Sequence, residues 1–312
     1  MLHETPANPV PEGAVSGHFN AADGVRLRYA RWPALGARRG TVCLFTGRAE
    51  SIEKYFETVH DLRRRGFAVA ALDWRGQGGS QRLLRNPFKG HVGDFADYQL
   101  DLQAFVREVM LPDCPPPYYA IAHSMGAAIL LDTARHGRQW FDRMVLLAPM
   151  LEIALVKHDV AAYRAARLLR ALGCGRLYVP GRRRLPVNEQ PFRANRLTSD
   201  PVRYARNYGI AAAHPALALG APTVSWIESA FRLMDQLADP VTARAIRQPL
   251  LMMAAGDDEV VATRAIEHLG MRLIAGAHLV IPGARHEILQ ERDFFREQFF
   301  AAFDAFVPGT PA

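Results

Sequence analysis

Residues 118–126 read Tyr118-Tyr119-Ala120-Ile121-Ala122-His123-Ser124-Met125-Gly126. An apolar run of strand length ends in a serine, and residues 125–136 follow with a helical pattern closed by Gly137. A serine on so tight a strand-to-helix turn holds its hydroxyl above the sheet, beside the first free N–H groups of the helix. The turn is crowded, so small residues are needed two before and two after the serine, and Ala122 and Gly126 supply them. The other reading is an ordinary N-cap serine. The surrounding pattern argues against that reading.

Working outward, short apolar runs alternate with helical stretches. Residues 18–32 read as a hairpin around Asp23-Gly24, and residues 41–46 as a buried strand. A helix over 52–65 stopped by Gly66, a strand over 67–73, a helix over 98–110 and a strand over 144–148 come next. Such alternation implies a mostly parallel sheet with helices on both faces. The rhythm breaks after Pro149, where residues 151–240 show helical runs and Pro/Gly breaks but no convincing strand. It resumes with a strand over 249–255, a helix near 262–269, a strand over 277–281 and a helix over 292–306. The expected organisation is an α/β core from residues 1–150 and 241–312, interrupted by a helical cap at 151–240.

A serine hydroxyl needs a base to accept its proton. Of 11 histidines, His286 follows a late strand through a short loop and so falls at the carboxyl edge of the sheet, where open α/β sheets place their sites. His123 neighbours the serine, but its side chain is expected to point away. His91 reads as structural or pocket-lining, and His158 and His214 have no obvious partner. The imidazole in turn needs an acid. Asp257-Asp258-Glu259 follow the strand at 250–255, and position alone does not choose among the three. The order serine, acid, histidine is that of the α/β-hydrolase arrangement. The N–H groups of Met125 and of Arg48, in the loop after the first parallel strand, are the expected donors to an oxyanion.

These residues resemble the α/β-hydrolase superfamily, and within it the bacterial lysophospholipase and monoacylglycerol-lipase branch. The resemblance is carried by Thr46-Gly47-Arg48-Ala49-Glu50, Glu53-Lys54-Tyr55, Asp73-Trp74-Arg75-Gly76-Gln77-Gly78-Gly79-Ser80, Gly90-His91-Val92, the Ser124 turn, Asn195-Arg196-Leu197-Thr198-Ser199-Asp200 and Gly283-Ala284-Arg285-His286-Glu287. It spans residues 18–306. The branch's Gly-x-Asp-x-Val-Val setting falls on residues 256–261 and favours Asp258 as the acid. Two departures stand out: Ala122 where glycine is usual, and Thr46 where many relatives have histidine. The resemblance implies a helical cap over the site and fatty-acid esters of glycerol or phosphoglycerol as substrates. It also implies a covalent acyl-serine route that needs no metal or organic cofactor. A thioesterase, a small-ester esterase, an S33-like aminopeptidase and a catalytically silent binding protein are the alternatives.

The net charge is 38 − 31 = +7, and residues 151–240 hold 13 Lys or Arg against 7 Asp or Glu. A basic segment suits anionic partners. A helix drawn over 156–172 would carry Arg164, Arg167 and Arg170 along one side, with Val160, Tyr163, Leu168 and Leu169 elsewhere. It would rest on anionic lipid, form an acyl tunnel, or simply pack on its own domain. No aromatic-plus-basic motif suggests nucleic acid. Three scattered cysteines, an N-terminus without a secretion pattern and no apolar run of membrane-spanning length suggest a cytoplasmic protein, peripheral to the inner membrane at most.

Overall fold

The computed structural model describes residues 1–154, 159–179 and 191–308. Eight strands form one sheet: β1 (Val15–Asn20), β2 (Arg26–Trp32), β3 (Thr41–Phe45), β4 (Ala68–Asp73), β5 (Tyr118–His123), β6 (Arg143–Leu147), β7 (Leu250–Ala255) and β8 (Gly276–Ile281). Their spatial order is β1-β2-β4-β3-β5-β6-β7-β8; β1 and β2 are antiparallel to their neighbours, and the six strands from β4 to β8 run parallel. This is the mostly parallel, doubly covered sheet expected from the alternation, and the α/β-hydrolase fold that the resemblance implies.

The helices are α1 (Phe56–Arg64), α2 (Asp97–Phe105), α3 (Met125–Arg135), α4 (Asp159–Ala171), α5 (Pro201–Ala213), α6 (Val224–Ala238), α7 (Thr263–Gly270) and α8 (Asp293–Phe306), with shorter helical turns between them. Strand periodicity sorts the core into two layers. Cys43 and Phe45 of β3 face one side, with Leu102 and Phe105 of α2, Ile129 of α3 and Phe231 of α6. Val42 and Leu44 face the other, with Phe56 and Val59 of α1 and Phe299 and Phe303 of α8. Every residue of β3, β4 and β7 is buried, as a parallel sheet covered on both faces requires.

Between β6 and β7 the described residues contribute α4, α5 and α6 and only isolated bridges, among them Gly90 with Pro222 and Tyr178 with Thr223. The helix expected over 156–172 is α4; residues 155–158, with His158, lie outside the described residues. α4 packs on α6 through Tyr163 against Phe231, with ring centroids 5.9 Å apart, and through an Arg170–Glu228 ion pair. Arg170 is therefore drawn inward, while Leu168 is exposed rather than packed. The helix expected over 52–65 begins instead as a tight turn, Ile52–Tyr55, before α1. The cause lies in distant strands: Asp73 Oδ1 accepts from the Ile52 N–H (3.0 Å) and Glu53 is held by Arg28.

The chain leaves β3 in one direction to build β4 and returns on the other side to build β5. Open α/β sheets place their sites at the carboxyl edge beside such a switch point. Ser124 follows β5 there, as Asp258 and His286 follow β7 and β8.

Candidate active site

Ser124 has φ 49° and ψ −110°, a conformation that costs a non-glycine residue about 1–3 kcal/mol. The turn is held from both sides. Ser124 N–H donates to Leu147 O at 2.9 Å, and Ser124 O accepts from Met150 N–H and Ala128 N–H, both at 3.1 Å. Gly126 sits so close to β3 that a Cβ there would lie 2.6 Å from Thr46 O and 2.9 Å from Phe45 O. Ala122, the departure from glycine on the other side, is fully buried in β5 opposite Phe45.

His286 Nε2 lies 3.1 Å from Ser124 Oγ, and its Nδ1 lies 2.8 Å from Asp258 Oδ2. The second Asp258 oxygen accepts from Val260 N–H at 2.8 Å and Val261 N–H at 3.0 Å. Burial raises the Asp258 carboxyl, but the bond to His286 and the two N–H groups hold it below its ordinary value, so it is a carboxylate. An anion at that place fixes the imidazole with its proton on Nδ1 and leaves the Nε2 lone pair toward the hydroxyl. Asp257 and Glu259 are exposed.

Met125 is the first residue of α3, among the N–H groups that a helix leaves without an intrahelical acceptor. Arg48 lies after β3 in a turn fixed on both sides. Gln77 Nε2 donates to Gly47 O at 2.7 Å, and Gln77 Oε1 accepts from Ala49 N–H at 3.2 Å. The Arg48 guanidinium reaches Gly220 O and lies 5.2 Å from the Trp226 ring, linking this turn to the segment before β7. An alcohol, imidazole and carboxylate in this order, beside two backbone turns, can carry acyl transfer.

A family model described as serine aminopeptidase, S33, matches residues 36–293. The chain belongs to this S33 family. Among curated proteins it is 33% identical over 297 residues to lysophospholipase L2 of Escherichia coli K12, covering 89% of this chain and 83% of that one. It is 27% identical to monoacylglycerol lipase of Mycolicibacterium smegmatis, over 88% of this chain and 90% of the relative. A solved monoglyceride lipase from Saccharomyces cerevisiae superposes with a TM-score of 0.75 at 19% identity, over 98% and 99% of the two chains, which shows the shared fold.

In this S33 chain the structure brings Ser124, Asp258 and His286 together, with Met125 opening the helix after β5 and Arg48 in the turn after β3. His91 is tied to Thr223 Oγ1 at 2.9 Å, and His214 binds Glu4 O at 3.0 Å near the surface. Burial and the cations Arg176, Lys89 and Arg170 push His91 down to about 4, so it stays neutral. Sequence reasoning missed what stands behind the reacting groups. Glu50, Lys54, His123 and Glu287 form one buried polar cluster against the His286 backbone. Glu50, Lys54 and Glu287 stand within the motifs that carry the family resemblance, which marks the residues but not their contacts. Among the described residues no group of three or more His, Cys, Asp or Glu could hold a metal ion.

Proposed function

We propose that this S33 chain is a serine hydrolase that cleaves fatty-acyl esters of lysophospholipids or monoacylglycerols. The observation that carries the reading is the unbroken hydrogen-bonded path from Ser124 Oγ through His286 to Asp258. As Ser124 attacks the ester carbonyl, its proton passes to His286 Nε2 and a bond forms from Oγ to the acyl carbon. The tetrahedral oxyanion accepts from Met125 N–H and Arg48 N–H. Collapse breaks the acyl C–O bond, and His286 returns the proton to the departing alcohol. Water, deprotonated by His286, then attacks the acyl-serine and frees the acid. The chemistry calls for no cofactor.

Residues 151–240 serve as the cap in this reading. On α4, Arg164 and Arg167 are exposed beside Val160 and Leu168, which are 64% and 61% exposed, and Leu172 just beyond is 68% exposed. Basic and apolar side chains on one exposed helix suit the surface of an anionic membrane, from which lipid esters would enter. Much of the remaining basic excess is spent internally: Arg196 pairs with Glu259, Arg203 and Arg206 with Glu57, and Arg232 with Asp94. No helix of the described residues is long and apolar enough to cross a membrane. We place the protein in the cytoplasm, peripheral to the inner membrane.

The family description favours a second reading, hydrolysis at peptide amino termini. A peptidase of that kind needs a carboxylate for the substrate amine, and Glu50 and Glu287 beside the site are already bound to Lys54. The test is one panel: a lysophospholipid, a monoacylglycerol, p-nitrophenyl esters of rising chain length and an aminoacyl anilide. Long-chain ester turnover is expected, with Ser124→Ala abolishing it and leaving thermal unfolding unchanged. Anilide turnover alone would establish the peptidase, and substantial ester turnover by Ser124→Ala would move the nucleophile elsewhere.

A further inference from the structure

His123 lies in the elbow beside Ser124, yet its ring bonds elsewhere. Nδ1 is 3.0 Å from Glu50 Oε1, and Nε2 is 3.1 Å from the backbone carbonyl of His286. Both partners are acceptors only, because a carboxylate and a carbonyl have no proton to give. A neutral imidazole has a single N–H and would leave one lone pair facing another at hydrogen-bond distance. A protonated ring satisfies both contacts. We propose that His123 is held as an imidazolium that donates to Glu50 and to the His286 carbonyl, and is thereby a positioning residue for the catalytic histidine.

With Glu50 ionised by the donors around it, the surrounding charges balance on this assignment. Glu50 Oε1 accepts from Lys54 Nζ at 2.8 Å and Oε2 from Tyr55 OH at 2.6 Å and the Gly47 N–H. Lys54 Nζ also meets Glu287 Oε1 at 2.5 Å. The cluster therefore holds two carboxylates, and Lys54 supplies one positive charge. The side chains of Glu50, His123 and Glu287 are at most 8% exposed and that of Lys54 is 12% exposed, so an uncompensated anion there would be costly. An imidazolium brings the sum to zero. The electrostatics run the same way: burial lowers His123, but the Glu50 carboxylate outweighs it and raises the ring above its ordinary value. Burial would raise Glu50, yet Lys54 and His123 hold it well below the usual carboxylate range.

The geometry gives the cluster a mechanical role. Glu50 grips Gly47, the residue before Arg48, while His123 grips the backbone of His286, with the two rings 4.7 Å apart. One buried carboxylate thus ties together the turn after β3, the elbow after β5 and the histidine loop after β8.

The inference rests on His286 being the base. It is tested first on the intact wild-type chain, by nitrogen-15 NMR of labelled histidines at pH 7, with the His123 signal identified by its absence in His123→Gln. Both ring nitrogens are expected to carry protons in the wild type, and one of them to lose its proton in Glu50→Gln. An unprotonated His123 nitrogen in the wild type overturns the assignment. The second arm measures ester hydrolysis per active site, titrated with a fluorophosphonate. His123→Gln is expected to lower kcat per titrated site about ten- to a hundredfold and to leave KM within about twofold. A merely structural role would reduce the number of titratable sites and leave kcat per site at the wild-type value, and that result overturns the positioning role. Should Gln at 123 prevent folding, Glu50→Gln carries the same kinetic comparison. Failure of the wild type to hydrolyse esters or react with the probe would instead strike at the proposed function.

Discussion

Asp258 turns one carboxylate oxygen to His286 and the other to the N–H groups of Val260 and Val261, whereas Asp257 is exposed and contributes its backbone N–H to Ala284 O. Asp258→Asn keeps the shape but removes the charge and can reverse the tautomer of the imidazole. We expect it to lower kcat by about four orders of magnitude, and Asp257→Asn to leave kcat close to wild type, as ester hydrolysis per titrated site will show. Ser124, His286 and the neighbourhood of Asp258 were legible in the sequence because each follows the carboxyl end of a strand, and strand ends can be read from apolar runs. Choosing between Asp257 and Asp258 took the family pattern. The bonds of His123 could not be read at all. They depend on the backbone twist of the elbow and on a glutamate 73 residues away.

Among the elements, α1 shows how a helix outside the sheet is fastened. Its Glu57 accepts from Arg203 Nε at 2.9 Å and from Arg206 Nη1 at 2.6 Å, both on α5, and lies 3.7 Å from Arg296 on α8. Burial opposes the charge, but the Arg203 bond and the neighbouring cations pull the Glu57 carboxyl down from 4.5 to about 2. The folded state therefore favours the ionised form. Its stabilisation is complete above the unfolded value and fades as the pH falls from about 4.5 toward 2. Glu57→Gln should cost about 1–2 kcal/mol at pH 7 after solvent screening. The gap in thermal midpoint from the wild type should close over that acid window. Strands and helices of the core were legible from their two periods. The start of α1 was not, because Asp73 and Arg28 claim Ile52 and Glu53 and turn the first residues into a tighter coil. Such claims come from strands distant in the chain.

Across the whole molecule, the antiparallel edge is joined to the parallel sheet by Arg28 of β2. Its guanidinium is 1% exposed and pairs with Glu53 at 2.7 Å and Asp73 at 2.6 Å, both carboxylates fully buried. Removing the cation strands two anions in the interior. Arg28→Met should therefore cost about 3–5 kcal/mol. A lower urea midpoint with an unchanged slope would register that loss, and an unchanged midpoint would contradict it. Sheet and helix content were legible at this scale, whereas the contacts that the described residues between β6 and β7 make with the rest of the chain were not. Contacts such as Arg48 to Gly220 and Trp226 join chain segments that no local pattern connects.

The first turn of α3 rests on the terminal carbonyls of β3, with no room for a methyl group at Gly126. The chain beginning at residue 125 and the strand that leads to residue 48 consequently travel as one body. The spacing between them is therefore set by main-chain packing rather than by any side chain. In the proposed reaction, adaptation to longer or bulkier esters would fall to side chains and segments farther from the reacting carbon.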